Sequence, residues 1–167
     1  MRFGFGIDVG GTTVKLAFFD ETGIMLDKWE IPTNIENNGE RVLPDIADSI
    51  NNYLHAHDIG NGNIIGIGVG VPGPVNDDGI VNKCVNLGWG IKDLHGELSA
   101  LTGFPVKGGN DANVAALGEC WKGSGAGCKN MVMATLFLPT PPRRAWDSSS
   151  TCPRPRTKWI PAWTVRA

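Results

Sequence analysis

Glycine runs through most of this 167-residue chain and then stops. All 23 glycines lie before residue 137. The last 31 residues hold none, yet they carry six of the 11 prolines, three of the six tryptophans and five of the seven arginines. Residues 137–167 have a formal charge of +5, six Lys/Arg against Asp147, so residues 1–136 carry −7 of the overall −2. Two such compositions in one chain predict one folded unit over 1–136 and a segment of different character over 137–167. Six prolines in 31 residues interrupt both ladders and helices, and the apolar residues there follow no period. The expectation is that 137–167 does not fold by itself.

The remaining composition narrows the class. Hydrophobic residues at 41% and charged residues at 19% suit one globular domain with a real core. A net charge of −2 gives no basic field for nucleic acid. No apolar run approaches the ~20 residues of a membrane span, and no charged-then-apolar leader opens the chain. Cys84, Cys120, Cys128 and Cys152 show no CxxC spacing, which predicts reduced thiols in a cytoplasmic protein and no zinc-ligand set. His55 and His57 point apart on a helix and His95 stands alone, so no metal pair is expected among the histidines.

The pattern changes period along the chain. Residues 3–9 and 13–19 alternate as strands around Gly10-Gly11, and a third strand is expected over 23–31, giving three antiparallel strands. Val42, Leu43, Ile46, Ala47, Ile50, Tyr53 and Leu54 then lie on one helical face, with Pro44 confined to the first turn. The run 64–71 reads as a buried strand whose glycines admit a neighbouring backbone. Leu94, Leu98 and Leu101 mark a helix stopped at Gly103. A short strand is expected over 104–107 and a helix over 110–121, capped by Asn110 or Asp111. Residues 131–136 open a further strand. Strands and helices alternating after an antiparallel start indicate an α/β domain with a mixed sheet.

Four constellations carry chemistry. In Asp8-Val9-Gly10-Gly11-Thr12-Thr13-Val14-Lys15, glycines that tolerate positive φ and close approach can turn backbone N–H groups toward a phosphate. Asp8 could hold Mg²⁺, and Thr12, Thr13 and Lys15 could meet phosphate oxygens; the plainer alternative is a tight hairpin whose glycines serve only the turn. Residues 68–73 satisfy GxGxxG, but Pro72 and Pro74 bracket the last glycine, where a dinucleotide fingerprint must open a helix. That reading is rejected in favour of a rigid Pro-Gly-Pro corner walling a substrate pocket. Asn86-Leu87-Gly88-Trp89 could suit sugar hydroxyls, although a tryptophan is more often core. In Gly109-Asn110-Asp111-Ala112-Asn113 a carboxylate at a helix N-terminus is favoured in its ionised form, and so available as a general base, besides being a common cap.

In this order, Asp8-x-Gly10-Gly11-Thr12-x-x-Lys15, Gly70-Val71-Pro72-Gly73-Pro74, Asn86-x-x-Trp89 and Asn110-Asp111-Ala112-Asn113-x-Ala115-Ala116 resemble the ROK family of sugar kinases, its bacterial glucokinases above all. The resemblance implies an actin/hexokinase-like (ribonuclease H-like) ATPase fold of two α/β lobes, the second cut short here. It implies transfer of the ATP γ-phosphoryl group to the 6-hydroxyl of glucose, with Asp111 as general base. Asn110, Gly70 and Asn86 would hold the sugar. Asp8 would position Mg²⁺, and Gly10, Gly11, Thr12 and Lys15 would line the phosphate path. Sugar and ATP are the implied partners, with homodimers common in the full-length family.

The departure follows Leu136. A second phosphate loop, a Glu-x-Gly-His sugar contact, a cysteine-rich zinc site and an adenine pocket belong to the family pattern and do not occur in this sequence. The composition shift inside an expected strand suggests that 137–167 is a frameshift product. Reading onward from the third base of the Arg144 codon restores part of a Gly-x-Gly pattern, but not the glycines expected just after Leu136. The 167-residue chain alone is therefore expected to have little kinase activity. Kinases for other hexoses or N-acetylhexosamines, and a non-catalytic sugar-binding fragment, are the competing readings. A sugar-responsive repressor is set aside because the first strand starts near residue 3, ahead of which a helix-turn-helix would have to fit.

Overall fold

A computed structural model describes residues 1–123, 125 and 126. Strands β1 (Phe3–Val9), β2 (Thr13–Asp20) and β3 (Met25–Pro32) form the antiparallel meander that the alternation predicts. After a single turn α1 (Glu36–Gly39) and helix α2 (Val42–Ala56), strand β4 (Ile64–Val71) returns parallel to β1. A two-stranded ribbon follows, β5 (Ile80–Val81) with β6 (Lys92–Asp93), then helix α3 (Leu94–Thr102). Strand β7 (Val106–Asn110) pairs parallel to β4 and runs into helix α4 (Asp111–Lys122). The five-stranded sheet has the order β3-β2-β1-β4-β7, a mixed sheet as expected.

Strand alternation decides the two faces. Phe5, Ile7 and Val9 of β1, Val14, Leu16 and Phe18 of β2, and Ile67, Val69 and Val71 of β4 are buried in one core with Leu43, Ile46 and Ile50 of α2 and Leu94 and Leu98 of α3. Fully burying each such side chain contributes about 1.5–3 kcal/mol. On the opposite face glycines gather where β1 and β4 meet: Gly6 pairs with Gly68 and Asp8 with Gly70. That is why α4 can lie close to β4. Its own outer stripe, Val114, Leu117 and Trp121, is exposed at the i, i+3, i+7 positions of a helical face.

Three expectations need correction. Leu101 is 45% exposed, and Thr102 is buried in its place. The inward face of α3 steps by four residues through Leu94, Leu98 and Thr102, and the Thr102 hydroxyl satisfies itself by donating to the Leu98 carbonyl at 2.8 Å. The strand expected over 104–107 begins at Val106 and continues to Asn110, because its pairing with Ile67–Val71 extends that far. In the Gly10-Gly11 turn neither glycine has positive φ. Gly10 is required by close approach instead, since a Cβ there would stand 2.8 Å from the Thr13 carbonyl oxygen. Gly103 does end α3 in the left-handed conformation, at φ 77°. The strand expected over 131–136, and the whole of 137–167, lie outside the described residues.

Candidate active site

The site stands where the three parallel strands end. Asp8 pairs with Gly70 across β1 and β4, Gly70 with Gly109, and Val71 with Asn110 across β4 and β7. Three of the four sequence constellations are thus joined at the carboxyl ends of adjacent strands, the usual ligand position of an open α/β sheet. Chain connectivity places Asp111 one residue beyond β7, in the first turn of α4.

The end of β7 is held by its own side chains. Of the two expected caps, Asn110 is the one used: its Oδ1 accepts from the Ala112 and Asn113 N–H groups at 3.1 and 3.3 Å, while its Nδ2 donates to the Gly73 carbonyl at 3.3 Å. Asn110 therefore ties the helix start to the Pro72-Gly73-Pro74 corner. Asp111 is half-buried, with Oδ1 accepting from Ala112 N–H at 2.7 Å. Gly70 is buried, and a Cβ on it would lie 3.5 Å from the Asp111 Cα.

Two clefts meet at Asp111. One of about 530 Å³ is lined by Ile7, Asp8, Gly70, Asp111, Ala112 and Val114, among others. The other, about 500 Å³, is walled by Pro72, Gly73, Pro74, Val75, Asn110 and Asp111, with Asn113. Asp111 is thus a shared wall, with a second carboxylate on one side and a rigid proline corner on the other. A further cavity of about 540 Å³ runs along the β1–β3 face past Asp8, Lys15, Ala17 and Phe19, and does not reach Asp111.

The hairpin turn follows β1 just beyond Asp8. The exposed Asp8 carboxylate lies 3.9 Å from the equally exposed Lys15 Nζ, a pair worth little in water. The Gly10 N–H donates within the turn to Thr13 at 3.0 Å, while Gly11 and Thr12 are exposed. Thr33, which the sequence pattern does not mark, straps this turn. Its N–H donates to the Thr12 carbonyl at 2.9 Å and its hydroxyl to the Gly10 carbonyl at 2.8 Å.

The Asn86 loop approaches from the other direction. A Cβ on Gly11 would stand 3.5 Å from the Asn86 carbonyl oxygen. Asn86 itself is exposed and lines neither of the two clefts at Asp111. Trp89 is core, 3% exposed, and its indole N–H donates to the Gly39 carbonyl at 3.0 Å. Asn37, Asn38 and Gly39 all have left-handed φ, so the indole pins a turn of unusual backbone against the Asn86 loop. Cys84 donates from Sγ to the Pro72 carbonyl at 3.3 Å, and burial pushes its thiol up from the ordinary value.

Asp8 offers an exposed carboxylate on the cleft it shares with Asp111, and no cluster of three His, Cys, Asp or Glu side chains occurs among the described residues. One or two carboxylates with room for water and phosphate oxygens fit Mg²⁺ better than an all-protein cage would.

Residues 4–137 match the ROK family. The chain is 46% identical over 136 residues to a glucokinase of Halalkalibacterium halodurans, a match covering 81% of this chain and 41% of the relative. It is 34% identical over 118 residues to an N-acetyl-D-glucosamine kinase of Haemophilus influenzae, covering 70% of this chain and 37% of that protein. Among solved structures, a ROK family glucokinase from Streptomyces griseus in complex with glucose and AMPPNP superposes with a TM-score of 0.61 at 29% identity, over 75% of this chain and 38% of that one. The chain spans about two fifths of the length of the curated relatives it matches. Its mixed sheet is that of the actin/hexokinase-like ATPase fold shared by these kinases. By its sequence match and by its sheet, this chain belongs to the ROK family.

Proposed function

We propose that residues 1–136 are the first lobe, with the opening strand of the second, of a cytoplasmic, ATP-dependent hexose kinase that phosphorylates the 6-hydroxyl of glucose. The observation that carries the reading is Asp111, standing between a cleft that contains Asp8 and a cleft that ends at the Pro72-Gly73-Pro74 corner. A carboxylate so placed can meet a sugar hydroxyl on one side and a phosphoryl group on the other.

In this reading the sugar lies against the proline corner with Asn110 in its seat, Gly70 borders it from the adjoining Asp8 cleft, and Asn86, which lines neither cleft, would have to reach it from its loop. Asp111 takes the proton of the 6-hydroxyl as that oxygen forms its bond to the γ-phosphorus and the bond from the γ-phosphorus to the departing ADP oxygen breaks. General-base assistance of this kind contributes roughly 10²–10⁴-fold. Gly11, Thr12 and Lys15 face the phosphates, while Gly10 keeps the turn closed. Mg²⁺, positioned by Asp8, would supply charge neutralisation at the phosphate oxygens.

The family match ends at the composition seam. This supports reading 137–167 as foreign to the lobe and the 167-residue chain as weak or inactive alone. The exposed stripe on α4 supports the same view, since it offers a second lobe an apolar face. A relative named as an N-acetyl-D-glucosamine kinase keeps an N-acetylhexosamine as the alternative substrate.

The deciding experiment pairs resequencing through codon 137 with two assays. The purified 167-residue chain is expected to form little glucose 6-phosphate from glucose and ATP. A product with an intact frame after Leu136 is expected to turn over, and to lose that turnover on Asp111→Ala. A two-lobe product that phosphorylates no hexose or N-acetylhexosamine would sink the assignment.

A further inference from the structure

His95 is set apart from the other two histidines. His55 and His57 are exposed at the end of α2, whereas His95 is half-buried in the first turn of α3. Its ring fills the space over Gly79, where even a Cβ would collide with it, and Gly79 has φ +83°. The Gly79 carbonyl in turn accepts from the Leu94 N–H at 3.1 Å, so turn, helix start and ring are locked together.

The ring's partner is β7. Among the described residues this strand ends the sheet order, with β4 paired to one of its edges. N–H groups on the other edge need acceptors from elsewhere. The Gly108 N–H donates to His95 Nε2 at 2.6 Å. An N–H can donate only to a lone pair, so this bond requires Nε2 to be without a proton. The imidazole supplies the acceptor on this edge, three residues before Asp111.

We propose that His95 is a positioning residue for Asp111: the Nε2 lone pair holds the outer edge of β7 at Gly108, so that the Asn110 cap and the Asp111 carboxylate keep their places between the two clefts. Protonation at Nε2 removes the acceptor and sets a like-signed donor against the Gly108 N–H, which releases that edge. The charged groups on the elements around the ring are Asp77 and Asp78 of the turn, Lys107 of β7, Asp93 and Glu97 flanking His95, and Lys92 of β6. Lys92 and Glu97 pair with each other at 2.7 Å, and Asp93 accepts from the Gly96 N–H at 2.8 Å.

The proposal rests on Asp111 being the base, but its test uses neither sugar nor nucleotide. The full 167-residue chain, labelled with ¹⁵N, is titrated with acid while the His95 imidazole and the Gly108, Ala112 and Asn113 amides are followed by NMR. The expected result is that all three amides move with the His95 titration, Gly108 losing its downfield position. In His95→Gln, which keeps an acceptor near the Nε2 site, they should hold their high-pH positions and no longer titrate. Movement of Gly108 without Ala112 and Asn113 would overturn the proposal, as would an unchanged titration in His95→Gln. A coupled titration in a chain whose two-lobe form proves inactive would instead reject the kinase reading alone.

Discussion

Gly70 and Asp111 meet on the face of the sheet opposite the core, with 3.5 Å between the position of an added Gly70 Cβ and the Asp111 Cα. The contact sets how far α4 can approach β4, and so where the Asp111 carboxylate emerges. Gly70→Ala adds a methyl at ordinary contact distance and is expected to leave the fold intact. Gly70→Val overpacks the contact, costing about 1–3 kcal/mol in urea unfolding and moving the Asp111 and Ala112 amide resonances.

Asp111→Asn keeps an oxygen that can accept from Ala112 N–H but lacks a basic carboxylate. In a two-lobe product it should lower kcat by roughly 10²–10⁴-fold with a much smaller change in KM. Its melting temperature should stay close to that of the parent protein. A large drop in melting temperature would point to a structural role.

Gly10 and Gly11 are adjacent but should respond differently. A Cβ on Gly10 meets the Thr13 carbonyl at 2.8 Å, so Gly10→Ala is expected to cost about 1–3 kcal/mol in a denaturant melt. On Gly11 the nearest atom is the Asn86 carbonyl oxygen at 3.5 Å, so Gly11→Ala should be close to neutral for stability. Any effect of Gly11→Ala should fall on the KM for ATP in a two-lobe product.

Trp89→Phe preserves the buried ring and removes one donor. The Gly39 carbonyl then loses its indole partner at 3.0 Å, a loss of about 1–3 kcal/mol for a buried unpaired group. Hydrogen exchange should rise around Asn38 and Gly39 before it rises in β1 or β4.

Burial raises the Cys84 thiol above its ordinary value, so the folded state favours the neutral form. That contribution is fully present below the unfolded-state pKa and is lost as pH rises through the folded one. The urea midpoint should therefore fall on the alkaline side, and the part due to Cys84 should vanish in Cys84→Ala. Alkylation of Cys84 should be slow until the chain unfolds.

Local patterns carried much of this structure. The alternation in residues 3–9 and 13–19 marks both strands, the face from Val42 to Leu54 marks α2, and GxGxxG broken by prolines correctly excludes a helix after β4. The ambiguity lay where two patterns coincide. Leu94 and Leu98 fit a face continuing to either Leu101 or Thr102, and only the tertiary packing chooses. Contacts between distant segments left no local mark. Thr33 straps a turn more than twenty residues earlier, Trp89 reaches back to Gly39, and His95 serves a strand on the far side of its own helix. For the site, residue type and order indicated Asp8, Gly70 and Asp111. Strand register was needed to show that they adjoin.

The Thr33 strap has a mechanical consequence. With Gly10 bonded to Thr13 and both Gly10 and Thr12 tied to the start of the segment after β3, the Gly10-Gly11 turn cannot fold down over a ligand without tearing three hydrogen bonds. It is an anvil rather than a jaw. Any motion that shuts water out of the clefts at Asp111 has to be delivered onto this surface from another part of the protein.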